Sequence, residues 1–343
     1  DGVESDLSTS ALKALYFNSK IKIEPKKKTT ANFTFDTKNL NSKGVGSQLR
    51  PFNYSGNKIQ EVIYGTTESF RIKPIESKNT SIIKVPAFNP KNGLFLFTNF
   101  TPFKNENNHY NYSLIFDVYI PKESDGKYIS LFQTSPENKN DADMFINSKG
   151  IGINNKYHGK IESETWYRIA IVVSETSIKK YLNGIFIGEQ SISGGRWTVY
   201  NTFSGGQNQG FLLFTDDDNE TATFFLNALQ LRNYSMNSDE IKSLGKAKSK
   251  GIVLNSTGIY NVKFENEIKQ SIVNWDAKEI YVYLTKNTEK NLKISFKLPF
   301  GATSTIKSGT KINVDNSKET IISVTAQDGI SKTNWKVLSK TED

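Results

Sequence analysis

The chain has 343 residues, enough for two or three domains of ordinary size, and its 36% hydrophobic and 23% charged content supports a packed core and excludes wholesale disorder. It has no cysteine, which excludes disulfide staples, thiol nucleophiles and cysteine-held zinc; His109 and His158 are its two histidines, so a three-histidine metal site is excluded as well. The 44 basic residues outnumber 35 acidic ones for a net charge of +9, which either attracts a polyanion or simply keeps a Lys- and Asn-rich surface solvated.

Helix signals are scarce and strand signals recur along the chain. Residues 1–35 form an N-terminal segment of unassigned role, with a strand-like alternation over Ala14–Glu24 followed by Lys26-Lys27-Lys28. Strands are then expected at Ser81–Val85, Leu94–Asn99, Tyr112–Ile120, Tyr128–Thr134, Asp143–Asn147, Trp166–Ser174, Ser177–Leu182, Gly210–Thr215 and Ala222–Leu231. Asn183-Gly184 marks a hairpin because that pair accepts positive φ at low cost, and Asp125-Gly126 and Asp328-Gly329 read the same way. One short helix is expected at Ser238–Leu244, capped by Ser238 and stopped by Gly245. Lys246–Lys250, without apolar periodicity, reads as a solvated linker, and strands resume at Glu279–Leu284, Leu292–Leu298 and Thr320–Ala326. No stretch reaches the roughly 18 apolar residues of a membrane helix, and Asp1–Asp6, acidic and polar, does not open a signal peptide.

From Tyr112 to Gly245 the segments YSLIFDVYIP, SLFQTSPENKNDADMFINSKGIGI, ETWYRIAIVV, KKYLNGIFIGEQ, GRWTVY and LLFTDDDNETATFFLNALQLRNYSMNSDEIKSLG follow one another in a familiar order. This series resembles the laminin-G-like, concanavalin-A-like lectin domains, and more narrowly modules of secreted and cell-surface proteins of Bacteroidetes. The resemblance covers about 130 residues and extends weakly upstream through GTTESFRIKPIESKNTSIIKVP. Downstream, Gly301-Ala302, Ser308-Gly309 and Val324-Thr325-Ala326-Gln327-Asp328-Gly329 resemble the turns of small immunoglobulin-like domains of the same surface proteins. The resemblance implies an all-β protein: a concanavalin-A-like jelly-roll β-sandwich over residues 36–246 and a smaller immunoglobulin-like β-sandwich over 247–343 acting as a spacer. It also implies a place outside the cell or on its surface, with a lipid anchor upstream of Asp1.

A sugar-binding surface needs aromatic faces for C–H stacking and polar groups for hydroxyls. The candidates for ligand binding are Tyr110, Tyr157, His158, Arg168, Arg196, Trp197 and Tyr200, with Asn154, Asn155, Gln207 and Asn208 as polar neighbours; for each aromatic the competing reading is a place in the core. Asp216-Asp217-Asp218-Asn219-Glu220 is a dense run of carboxylates in a basic chain. It stands as a Ca2+ site, with Asp216, Asp218 and Glu220 joined by Asp141 and Asp143. Alternatively it is a tight turn whose repulsion an arginine, Arg168 or Arg196, relieves.

Catalysis has little to stand on. The jelly-roll glucanases carry Glu-x-Asp-x-Glu on one strand face, and Glu162-Ser163-Glu164 and Glu265-Asn266-Glu267 lack the third member. The basic runs at Lys26–Lys28 and Lys246–Lys250 are not interleaved with aromatics, which argues against nucleic acid. The expectation is a non-catalytic carbohydrate-binding protein, with an anionic glycan favoured by the charge. A jelly-roll hydrolase or lyase and a protein-binding adhesion module are the alternatives.

Overall fold

The computed structural model describes residues 30–44, 48–53, 58–98, 108–135, 137–192, 197–200, 210–253, 257–299, 301–327 and 331–342. The expected strand over Ala14–Glu24, the turn at Asp328-Gly329, and Arg196, Gln207 and Asn208 lie outside these residues.

Among the described residues the chain is all-β, with helix confined to Lys122–Ser124 and Ser238–Leu244. A nine-stranded sheet has the spatial order Ile185–Ser191, Ser177–Leu182, Trp166–Val173, Tyr112–Tyr119, Phe224–Arg232, Thr30–Thr34 and Lys43–Gly44, all antiparallel. Ser81–Val85 pairs with the start of Phe224–Arg232 and carries Ile63–Thr66 on its far side. A six-stranded antiparallel sheet runs Gly150–Gly152, Met144–Asn147, Ile129–Gln133, Gly210–Leu213, Asn92–Phe97 and Gln48–Asn53. Side chains from both, among them Phe116, Val118, Ile171, Leu229, Leu131, Ile146, Phe211 and Leu94, fill one core, which makes the pair a β-sandwich.

The larger sheet is covered on its other face too. Along Trp166–Val173 the odd residues Ile169, Ile171 and Val173 enter the sandwich core, while Ala170 and Val172 join Ile241 and Leu244 of the helix. That two-sided burial is why the strand reads as a continuous apolar run with one arginine in it. The helix is capped by Asn237, not by Ser238: the Asn237 side chain accepts the Glu240 amide at 2.8 Å and Glu240 Oε2 accepts the Asn237 amide at 2.9 Å, a reciprocal cap.

Two boundaries differ from expectation. Thr30–Thr34 belongs to the large sheet, in register Thr30↔Arg232 to Thr34↔Ala228, so the N-terminal segment ends before residue 30. The lysine run is not a free hinge: Asn227 Nδ2 donates to the Lys248 carbonyl, the Ser249 amide and hydroxyl donate to Glu76, and Ile252 is fully buried beneath the helix.

A second set of sheets begins at Tyr260. Tyr260–Phe264, Asn291–Lys297 and Lys311–Asn313 form a three-stranded sheet; Lys269–Asn274, Glu279–Leu284, Lys332–Thr341, Thr320–Thr325 and Thr303–Ser304 form a five-stranded one. Glu279–Leu284 and Lys332–Thr341 run parallel and the other pairs antiparallel. Their inward residues build a separate core around Trp335, Phe264, Ile294 and Val282.

Candidate functional site

Two loops of the six-stranded sheet and one turn beside it gather polar side chains. The segment after Gly210–Leu213 turns at Phe214 and Asn219, both at positive φ. It is sewn to its neighbours: Ser130 Oγ donates to the Thr215 carbonyl at 2.8 Å, the Ser130 amide to the Glu220 carbonyl at 3.2 Å, and Thr221 Oγ1 to the Phe88 carbonyl at 2.8 Å. The loop joining Ile129–Gln133 to Met144–Asn147 is tied down by Asp143 Oδ2, which accepts the Thr134 amide and hydroxyl, and by buried Asn138, whose Nδ2 donates to the Pro90 carbonyl. The two loops meet where the Ala142 amide donates to Asp216 Oδ1 at 2.7 Å.

At that meeting point Asp141, Asp216 and Asp218 place one carboxylate oxygen each within 4.8 Å of the others. Asp216 is fully buried, and its Oδ2 has no hydrogen-bond partner. Burial, then the adjoining Asp218 carboxyl, pushes Asp216 up to about 7. Glu220 is raised as well, by partial burial and by Asp218, Asp141 and Asp217, so a fourth and a fifth carboxyl stand in the same field. A single divalent cation can bridge three oxygens so placed and relieve the repulsion; hard cations take carboxylate and carbonyl oxygens of this kind.

Tyr157 stands beside the cluster. It is half-buried, hydrogen-bonded to Tyr128, and raised by burial first and then by Tyr128, Glu220 and Asp141. Tyr128 is 38% exposed, and its ring meets Phe145 edge-on at 5.7 Å. The turn that carries Tyr157 folds back on Gly152, where a Cβ would lie 2.3 Å from the Lys156 carbonyl, so only glycine fits. Lys180, with no solvent exposure, donates Nζ to that carbonyl and to Gln190 Oε1, and burial holds its ammonium down to about 8. His158 follows on the same turn, bridged through its backbone to Ile151, its ring over Gly188; burial, then Lys180, lowers it.

The other expected residues are placed differently. Arg168 is a correction: it is 1% exposed, its Nε and Nη2 each lie 2.7 Å from the buried Asp117 carboxylate, and it donates also to the Leu244 and Gly251 carbonyls. It therefore ties two strands, the helix end and the junction together, its guanidinium taken up by Asp117 and these carbonyls and not by the acidic run. Asp143 lies outside the trio of Asp141, Asp216 and Asp218, its Oδ2 held by the Thr134 amide and hydroxyl. Trp197 is buried at positive φ, its indole donating to the Asp143 carbonyl and its own carbonyl accepting the Tyr112 hydroxyl, so it backs the loop from inside. Tyr110 is exposed beside the two-stranded ribbon of Asn108–His109 and Val199–Tyr200, which contains the expected Tyr200. Tyr128 and Lys180 were not anticipated: Tyr128 reads as the first residue of a strand, and a lysine in an alternating strand reads as solvated.

No helix of the described residues is long and apolar enough to cross a membrane. The sequence matches no family model and no curated protein. Among solved structures it is similar to domain 4 of AbnA, an extracellular arabinanase from Geobacillus stearothermophilus solved with arabinotriose, at 16% identity and TM-score 0.43 over 64% of this chain and 98% of that one. It is also similar to the receptor-binding domain of botulinum neurotoxin mosaic serotype C/D, at 10% identity and TM-score 0.40 over 87% and 70% of the two chains, and to the binding domain of serotype G, at 12% and 0.39 over 90% and 74%. Likeness this distant carries no residue role from those proteins to this chain.

Proposed function

We propose that this chain is a non-catalytic carbohydrate-binding protein of the cell exterior that holds a divalent cation, Ca2+ by its all-oxygen donors, at Asp141, Asp216 and Asp218. The observation that carries the reading is the open Oδ2 of fully buried Asp216 beside two further carboxylates. A buried carboxylate with an unmade bond is costly unless something positive meets it. Tyr157 and Tyr128 supply aromatic faces next to the cation, with exposed Asn154 and Asn155 on the same turn. Because this face is acidic, it suits a hydroxyl-rich neutral sugar, or one reached through the cation, better than the anionic glycan suggested by net charge. Glycosidic chemistry fits less well: two catalytic carboxyls stand roughly 5–9.5 Å apart with space between them, whereas here three oxygens crowd within 4.8 Å. In domain terms, the reading is a laminin-G-like jelly roll that takes in Thr30–Thr34 and ends after Ile252, followed by an immunoglobulin-like sandwich, with a lipid anchor upstream.

Calorimetric titration of the chelator-treated chain with Ca2+, Mg2+ and Mn2+ tests the cation, and Asp216→Asn is expected to abolish the heat. Saturation at 100 times Kd should also stabilise the folded chain by about 2.7 kcal/mol. The same titration with a panel of neutral oligosaccharides tests the sugar: binding that needs the cation and is weakened by Tyr157→Ala supports the reading, and no binding to any member removes it.

A further inference from the structure

We propose that the outer face of the three-stranded sheet in the C-terminal sandwich is a second binding surface, for an acidic polysaccharide bearing carboxylate or sulfate groups. This surface is independent of the cation cluster and would make the C-terminal sandwich more than a spacer.

Asn291–Lys297 alternates exposed and buried without a break, so Lys293, Ser295 and Lys297 share the outer face while Leu292, Ile294 and Phe296 fill the core. The register sets Lys311 directly opposite Lys293, Lys263 opposite Ser295, and Tyr260 opposite Lys297. Lys263, Lys293, Lys297 and Lys311 are all exposed. None of them makes an ion pair within the described residues. Exposed Glu265, just past the end of Tyr260–Phe264, donates its amide to the Lys293 carbonyl. Like charges set opposite each other across strands destabilise a sheet. Lys293 and Lys311 keep that arrangement, and an anionic ligand reverses its sign.

Aromatic rings close one end of the lysine rows. Tyr260 and Trp275 are 41% and 43% exposed, with centroids 5.2 Å apart and planes at 46°. Trp275 sits on the turn between Lys269–Asn274 and Glu279–Leu284, where Asn274 Oδ1 accepts the Asp276 and Ala277 amides. Its ring is backed edge-on by buried Trp335 at 5.2 Å, itself fixed by an indole bond to the Thr257 carbonyl at 3.0 Å. A Cβ at Gly258 would lie 2.7 Å from the Trp275 ring and from the Tyr260 hydroxyl, so glycine lets both side chains close over the backbone. A ring pair held this way loses little freedom on binding.

The layout selects among polyanions. A single-stranded nucleic acid is read by aromatics interleaved with the cations, one base after another. Here the rings lie together at one end and the lysines, with Ser295, Asn291 and Asn313 among them, occupy the rest, which suits a charged saccharide that stacks one ring and presents its acid groups in series.

The test uses the full chain, with heparin and polygalacturonate as acidic probes, dextran as a neutral one and poly(dT) as the nucleic acid. The proposal expects binding to at least one acidic polysaccharide that weakens with added salt, none to dextran at this face, and a loss of about tenfold or more when Lys263, Lys293, Lys297 and Lys311 are changed together to Gln. The matching Lys→Arg variant, which keeps the charge, should bind as the parent does and controls for folding. Trp275→Ala should weaken binding a few-fold without altering its salt dependence. Asp216→Asn should leave acidic-polysaccharide binding intact while losing the cation, so failure of the first site and failure of this one are separate results. Equal binding by the parent and the Gln variant, or no binding to either acidic probe at low salt, overturns the proposal. So does tighter binding to poly(dT) than to both acidic glycans.

Discussion

The two sandwiches solve the same packing problem with different materials. Around the large core the chain buries ions and amides: Arg168 with Asp117, Lys180 with Gln190, Arg232 with Gln230 and Tyr234, and Asp216 with the Ala142 amide. Around Trp335 the buried polar residues are Ser271 and Ser339 among the described residues, and the lysines stay on the surface. The difference follows from coverage. A sheet wrapped on both faces, by a second sheet inside and by a helix and loops outside, must seat polar ties between its layers. A small sandwich with water on both outer faces needs only alternation. The first arrangement can hold a strained polar site such as the Asp216 cluster; the second leaves a flat charged face.

Substitutions test that contrast, and the largest effect is expected at the buried ion pair. Arg168→Leu strands the Asp117 carboxylate and two carbonyls away from water and should cost about 3–5 kcal/mol, read from urea unfolding. A cost below about 1 kcal/mol would mean that the polar ties are not structural. Next comes Lys180. Its folded ammonium loses its proton near 8 against an ordinary value of 10.5, so between those values the unfolded chain holds more protons. Stability should therefore rise as pH climbs through that window, with the burial cost fully present below it, on the order of 3 to 3.5 kcal/mol in all. Lys180→Met should erase the difference in unfolding midpoint between about pH 7 and about pH 10 that the parent shows through this group. Asn237→Ala removes the reciprocal helix cap and should cost about 1 kcal/mol in the same assay. The smallest effect belongs to the other sandwich. Lys293→Gln should change stability by only a few tenths of a kcal/mol, in the stabilising direction, because it relieves repulsion with Lys311.

The same contrast explains what could be read in advance. The small sandwich writes its fold in plain alternation: Asn291–Lys297 and Glu279–Leu284 show period two, and both strands lie close to where the pattern puts them. In the large sandwich the strand positions were legible from apolar runs and from Asn183-Gly184, whose two residues do take positive φ. The roles of its polar residues were not. Arg168 and Lys180 look solvated in one dimension, because nothing local announces the helix or the turn that covers them. Asp143 and Asp216 look equivalent until the fold gives one to Thr134 and leaves the other with an open oxygen. Of the aspartate cluster, the acidic run was visible and the choice among its members was a matter of loop packing. The exposed pair Tyr260 and Trp275 is not legible in the sequence because one lies in the three-stranded sheet and the other on a turn of the five-stranded one, and only the packing of the two brings the rings together.

The guanidinium of Arg168 reaches past the lysine run to the Gly251 carbonyl, and Ile252 seals the space under the helix. Cutting the gene at the tempting place, just after residue 246, would therefore produce a fragment with an arginine missing an acceptor and an open apolar slot. A version of the N-terminal half meant to stand alone in a tube should carry its tail through Ile252, and comparing the solubility of the two truncations would show how far those last six residues act as a stopper.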